Sequence, residues 1–336
     1  MVPRSSAACQ TPAWRQDLLE AYRDADDLLA KLCLTRREIP DLDCDPPVLR
    51  MLVPRGFADL MKPRDPHDPL LRQVLPLASE RCRIAGFSQD PVDDESANRG
   101  DGLLRKYEGR ALMLVTGACA IHCRYCFRRH FPYSALGAAG PRTSAALARI
   151  AADRQITELI LSGGDPLMVD DQPLAELVER LEGIAHLKGL RIHSRLPVVL
   201  PRRVTRDLCD LLGASRFKVL VVIHANHPDE LGGAAETALL RLRGAGVHLL
   251  NQSVLLRGIN DTAEILRALS ERLFDCGTLP YYLHQLDPVE GAAHFEVSDA
   301  YALQLMHALR SQVPGYLVPR LVREIPGADS KIPLLG

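Results

Sequence analysis

The 336-residue chain is poor in aromatic residues, at 5% with a single Trp, and has no charge excess of either sign. Its 41 Lys and Arg face 42 Asp and Glu, a formal net charge of −1. A dedicated nucleic-acid binder needs a basic excess to displace counterions from phosphates, so that class is excluded. No apolar run approaches the roughly 18 residues of a membrane-spanning helix. The opening stretch, MVPRSSAACQTPAWRQD, lacks the continuous apolar run of a secretory signal before charge returns. We therefore expect a cytoplasmic protein with no membrane and no nucleic-acid partner. A disulfide framework is absent too, since nine cysteines is an odd number and a chain this long builds a core without staples. The 47% of hydrophobic residues is ample for a folded globule.

What the chain does have is alternation. Residues 13–35 carry apolar residues at helical spacing and read as one amphipathic helix. Between Pro40 and Asn98, repeated prolines and Asp-Pro pairs read as short helices joined by loops. Beyond Arg105, short apolar runs at 111–116, 157–163, 190–195, 217–225, 247–256 and 279–287 alternate with amphipathic stretches. That pattern implies βαβ units and a parallel sheet. Asp165, Arg195, His224, Gln252 and Asp287 stand at the ends of these runs, the rim where barrel active sites lie. The α/β fold expected is a partial (βα)6 TIM-like barrel with an N-terminal helical extension. A doubly wound open sheet is the competitor that periodicity leaves standing. The chain divides into an extension over 1–104, a barrel core over 105–290 and a C-terminal segment over 291–336.

Six cysteines are scattered, but Cys119, Cys123 and Cys126 form C-x3-C-x2-C in TGACAIHCRYCFRRHFPY, directly after the first of these runs. Clustered thiolates select zinc, Cu(I) or an iron–sulfur cluster. Structural zinc wants four closed ligands, and only His122 and His130 are near enough in sequence to complete the set. A [4Fe–4S] cluster on three cysteines leaves one iron open to the amino and carboxylate groups of a small molecule. In SGGDPL, at 162–167, paired glycine would let the backbone approach that amino group; an ordinary strand-to-helix turn with Asp165 as cap is the plainer reading. Lys331, beyond a Pro-Gly turn, is either a solvated charge or the lysine a pyridoxal phosphate (PLP) enzyme needs.

The cysteine spacing, with Tyr125 before the last cysteine, resembles the radical S-adenosylmethionine (SAM) superfamily. CRYCFRRHFPY, SGGDPLM, RLPVVLPRRVT, HANHPDEL, GVHLLNQSVLLRGIND, LPYYLHQLD and SKIPL together resemble the lysine 2,3-aminomutase family. Within it they are most similar to the short branch that makes (R)-β-lysine for modification of elongation factor P. The resemblance runs from about Phe57 onward. It implies conversion of (S)-α-lysine to (R)-β-lysine through a 5′-deoxyadenosyl radical and a PLP aldimine, with SAM regenerated. It implies that Cys119, Cys123 and Cys126 bind the [4Fe–4S] cluster, and that Ser162, Gly163, Gly164, Asp165, His224, Asn251 and Gln252 face SAM. It implies that Lys331 carries PLP with Lys106 and Arg110 in contact. Arg128 would pair with the substrate carboxylate, and Asp287 with Glu324 would hold its ε-ammonium. The implied partners are L-lysine, a flavodoxin or ferredoxin as reductant, and the ligase that passes the product to elongation factor P. A homo-oligomer is compatible with it.

Two departures stand out. Glu324 replaces the usual Asp, one methylene shorter, which bears on chain-length selectivity. The longer clostridial-type enzymes bind structural zinc through a cysteine at the position of Thr262 and a cysteine-rich tail. No cysteine follows Cys276, so no zinc is expected. The rival readings are a catabolic or other-amino-acid aminomutase, a radical SAM enzyme of different chemistry, and a non-catalytic zinc-binding interaction module.

Overall fold

The computed structural model describes residues 11–43, 45, 49–98, 100–136 and 139–335. Nine strands follow one another along the chain: β1 (Leu103–Tyr107), β2 (Arg110–Thr116), β3 (Glu158–Gly163), β4 (Gly189–Ser194), β5 (Lys218–Ile223), β6 (His248–Val254), β7 (Leu279–His284), β8 (Arg320–Arg323) and β9 (Ile332–Pro333). They form one sheet whose spatial order is the chain order. Strands β2 to β8 are parallel, and β1 and β9 pair antiparallel at the two edges. A doubly wound sheet reverses its strand order at a switch point. A strictly sequential order does not, so the wall is that of a barrel, and no pairing joins β9 to β1 among the described residues. The six expected runs are β2 to β7.

Helices Ala139–Ala152, Asp171–Glu182, Arg206–Ala214, Gly233–Gly244, Ala263–Asp275 and Asp299–Gln312 fill the six crossovers. The local chemistry explains where they begin. Thr205, Thr262 and Ser298 each accept a backbone N–H from three residues on, a cap worth about 1 kcal/mol. Leu174, Leu177, Val178 and Leu181 show the apolar stripe that each helix turns inward.

The expected single helix over 13–35 is two, Ala13–Leu19 and Ala25–Lys31. Between them the Tyr22 backbone pairs in both directions with Val53, and Asp24 caps a fresh start by accepting from Asp26 and Asp27. The extension is continuous with the barrel inside. Trp14, Leu28, Phe57 and Leu70 share one buried cluster with Leu161, Ile192 and Val221 of the central strands.

Candidate active site

Every parallel strand delivers a polar side chain or loop to one mouth of the barrel, around a cavity of about 380 Å³. The cysteine loop leaves β2, and its three thiols line that cavity. The loop is held from the extension. His122 and Arg124 donate backbone N–H groups to Leu52 and Gln73. Glu80 receives Arg124 at 2.7 Å and 2.5 Å and Arg129 at 2.5 Å, all three nearly solvent-free. Burial pushes the Cys126 thiol up to about 11, with Cys123 adding to it, and pushes Cys119 well above the ordinary thiol range. Only a bound metal would turn such thiols into thiolates.

The donor set fits a cluster better than a single ion. No group of three or more His, Cys, Asp or Glu among the described residues converges as one ion's cage. Neither His122 nor His130 joins the thiols in such a cage; His122 Nδ1 lies 2.6 Å from Arg50 O, and His130 Nε2 lies 3.1 Å from Glu290 O. Three thiols facing one cavity without a fourth protein ligand suit a cluster with one open iron.

The glycines after β3 act by close approach to this loop. Gly163 has φ +122°, and a Cβ there would lie 2.4 Å from Thr116 O; one on Gly164 would lie 2.4 Å from Ala118 O. The Gly164 and Asp165 amides donate to those same two carbonyls, at 2.7 Å and 2.8 Å. Those N–H groups are therefore spent, and an ammonium, itself a donor, could be received only by carbonyl oxygens here. Asp165 is buried and accepts from Ser194 Oγ and from the Leu167, Arg195 and Leu196 amides, locking the β3 end to the β4 end. Burial still pushes its carboxyl up to about 6 against those bonds.

Of the other residues expected to face SAM, His224 and Gln252 line the cavity, joined at 2.9 Å. Burial brings His224 down to about 3, so its ring is neutral. Asn251, expected to face SAM, does not line the cavity. Its amide is consumed by the Ala225 backbone in both directions and by Ser253 Oγ, because the alternation of β6 turns it away when Gln252 faces in. It ties β5 to β6.

The charged side of the cavity is a chain of pairs. Ser162 Oγ and Asp94 hold Arg128, through Nη1 at 3.0 Å and Nε at 2.6 Å. The other Asp94 oxygen takes Lys106 Nζ at 2.5 Å. Lys106 also lies 3.5 Å from Glu324, which binds Lys331 Nζ at 2.5 Å. Burial works to raise the Asp94 and Glu324 carboxyls, but their basic neighbours outweigh it and hold both below the ordinary range. Burial also raises the Tyr107 phenol, helped by Glu324 beside it. Arg110 stacks on the Tyr107 ring at 4.7 Å, and Lys331 Nζ is 5.9 Å from the Tyr282 ring centre. Asp287 is different. Its Oδ1 is buried with no hydrogen-bond partner, and burial pushes its carboxyl up to about 7, with Glu324 raising and Lys331 lowering it.

Sequence reading missed Asp94, Tyr107, and His193 and His284, which line the cavity with buried Nε2 atoms that have no hydrogen-bond partner. Asp94 is indistinguishable in the sequence from Asp93 beside it in a loop-like run, so no sequence signal marked it.

Comparison with known proteins adds the following. Residues 113–271 match the radical SAM superfamily. The chain is 48% identical over 322 residues to the L-lysine 2,3-aminomutase of Escherichia coli, covering 96% of this chain and 94% of that one. It is 44% identical over 331 residues to that of Haemophilus influenzae, covering 98% of each. Against the L-lysine 2,3-aminomutase of Clostridium subterminale the identity is 34% over 323 residues, 96% of this chain and 77% of the relative.

Proposed function

The chain belongs to the L-lysine 2,3-aminomutase family and carries its radical SAM domain, and from that premise we propose that it is an isomerase moving the α-amino group of L-lysine to the β carbon to give (R)-β-lysine. The family brings a [4Fe–4S] cluster and SAM; PLP, which the resemblance of the sequence implies, is proposed with them and is supported by Lys331 lining the same cavity. When bound, the cluster and SAM supply a carbon-centred radical, and PLP a ring that delocalises the unpaired electron next to the migrating nitrogen.

The chain's own residues bind and orient. Cys119, Cys123 and Cys126 hold the cluster, with His224, Gln252 and the carbonyls after β3 on the SAM side. Lys331 carries PLP, with Lys106 and Arg110 as its contacts. Arg128, fixed by Asp94 and Ser162, keeps its remaining N–H groups for the substrate carboxylate. Glu324 pairs with Lys331 at 2.5 Å and so keeps the lysine amine placed, and Asp287, whose Oδ1 has no partner, stands beside it to take the substrate ε-ammonium. One observation carries this reading: Lys331 and the three thiols line one cavity, with an unpartnered carboxylate oxygen beside them.

The near full-length match to the Escherichia coli and Haemophilus influenzae relatives supports the short branch, and with it delivery of the product to the ligase acting on elongation factor P. A flavodoxin or ferredoxin is the reductant and the cytoplasm the location; a homo-oligomer is compatible with this reading, and no zinc is expected. Among the described residues no helix is long and apolar enough to cross a membrane. Residues 1–104 act as cover up to the start of β1, 105–290 as most of the catalytic barrel and 291–336 as its last crossover helix, β8 and the segment that brings in Lys331; of the cover, residues 1–10, 44, 46–48 and 99 lie outside the described residues.

The test is anaerobic turnover of reconstituted protein with L-lysine, SAM, PLP and dithionite. We expect β-lysine, reduced to background by Cys126→Ala and by Lys331→Ala. Cleavage of SAM with lysine untouched would remove the substrate assignment.

A further inference from the structure

Arg195, at the end of β4, touches a cluster cysteine. Its Nη1 packs directly against Cys123 Sγ, and its Nη2 donates to Glu230 Oε2 at 2.9 Å and Gln73 Oε1 at 2.8 Å. The rings of Phe57 and Tyr125 lie 5.6 Å from the guanidinium carbon. The arginine is 5% exposed and the glutamate fully buried. Glu230 is fixed in turn, its Oε1 accepting from Gln73 and from the Asn226 and His227 amides. The guanidinium is thus clamped from the extension, the cysteine loop, the β4 end and the turn after β5. A buried ion pair of this kind adds little net stability over apolar residues of the same volume. Its orientation toward one sulfur asks for another reason.

Donors beside a cluster sulfur favour the reduced state, because the added electron makes that sulfur more negative. We propose that Arg195 is a positioning residue that raises the reduction potential of the cluster through Cys123, and that Glu230 partly offsets it, so that this buried pair sets how readily one electron enters. The step is a one-electron reduction: a one-electron donor, dithionite in the test, is oxidised and the cluster reduced, with no covalent bond made or broken. The proposal rests on Cys123 being a cluster ligand.

The experiment is a mediated dithionite titration of the reconstituted full chain without SAM, followed by electron paramagnetic resonance. Arg195→Gln is expected to lower the reduced-to-oxidised ratio at a fixed potential by tenfold or more, about 59 mV for one electron. Glu230→Gln is expected to raise it. Arg195→Lys keeps the charge but loses the fork, and falls between Arg195→Gln and the unaltered protein. Shifts of opposite sign are not what a loosened structure produces. With iron and sulfide content unchanged, a ratio that stays within twofold in all variants, or moves the same way in Arg195→Gln and Glu230→Gln, overturns the proposal. If Arg195→Gln fails to take up iron, Arg195→Lys and Glu230→Gln decide it by the same signs. Unaltered protein that takes up no iron overturns the cluster reading itself, and this proposal with it.

Discussion

Asp287 and Glu324 stand at the ends of neighbouring strands, yet their surroundings drive them apart. Glu324 has two lysines against it and stays ionised, while Asp287 is raised to about 7 by burial. Between the ordinary carboxyl range and that value, the folded chain keeps a proton that the unfolded chain has lost. The stabilisation from this proton is complete at low pH and disappears as pH rises through about 7. Melting curves of cofactor-free protein should show Asp287→Asn matching the unaltered chain near pH 4 and exceeding it by a few kcal/mol at pH 8, at about 1.4 kcal/mol per pKa unit. Lysine binding near pH 6 should release a proton that the Asn variant does not, measurable by calorimetry in buffers of different ionisation heat. Equal pH profiles for the two proteins would remove Asp287 from the ammonium site. At this scale the sequence marked residues whose chemistry is rare: three clustered thiols, and a lysine beyond a turn. It did not mark Asp94, whose importance comes wholly from Lys106 and Arg128 meeting there in space. Asn251 was misread because a polar residue at a strand end can face either side of the wall.

Among the elements, the turn after β3 is the least forgiving. Gly163→Ala puts a Cβ against Thr116 O at a φ of +122°, a backbone conformation that side chains rarely adopt. The loop behind that carbonyl carries the cysteines. We expect the variant to fold, melt lower and take up severalfold less iron. Gly140→Ala is the control: nothing lies within 4 Å of its Cβ position, at the start of the helix Ala139–Ala152, and both properties should hold. Equal iron uptake in the two variants would contradict the packing role given to the glycine pair. Six strands were legible because each is a run of branched and aliphatic residues bounded by helical periodicity. Strands β1, β8 and β9 were not, being two to five residues long and rich in Lys, Arg and Pro, with pairing supplied by their neighbours. The break near Tyr22 was hidden for the same reason, since its cause is Val53.

On the scale of the molecule, the sequence carried the alternation but not the strand order, so it left the barrel and the doubly wound sheet side by side. Order is a non-local property, and only the pairing resolves it. The shared core makes the extension and the barrel one cooperative unit. Trp14, the single tryptophan, is 2% exposed inside the extension and reports on it directly. In urea, its fluorescence and the far-ultraviolet dichroism of the barrel helices should lose native signal at the same midpoint. An earlier fluorescence transition would mean that the extension melts alone. The clamp on Arg195 also has a consequence during synthesis. Gln73 meets Glu230 across 157 residues, and at about 5–20 residues per second the ribosome needs roughly 8–30 s to make that stretch. Early in that interval Trp14, Phe57 and Leu70 stand uncovered, because Leu161, Ile192 and Val221 of their cluster are still to be made. The time for which this apolar surface of the extension stays exposed therefore grows as translation slows.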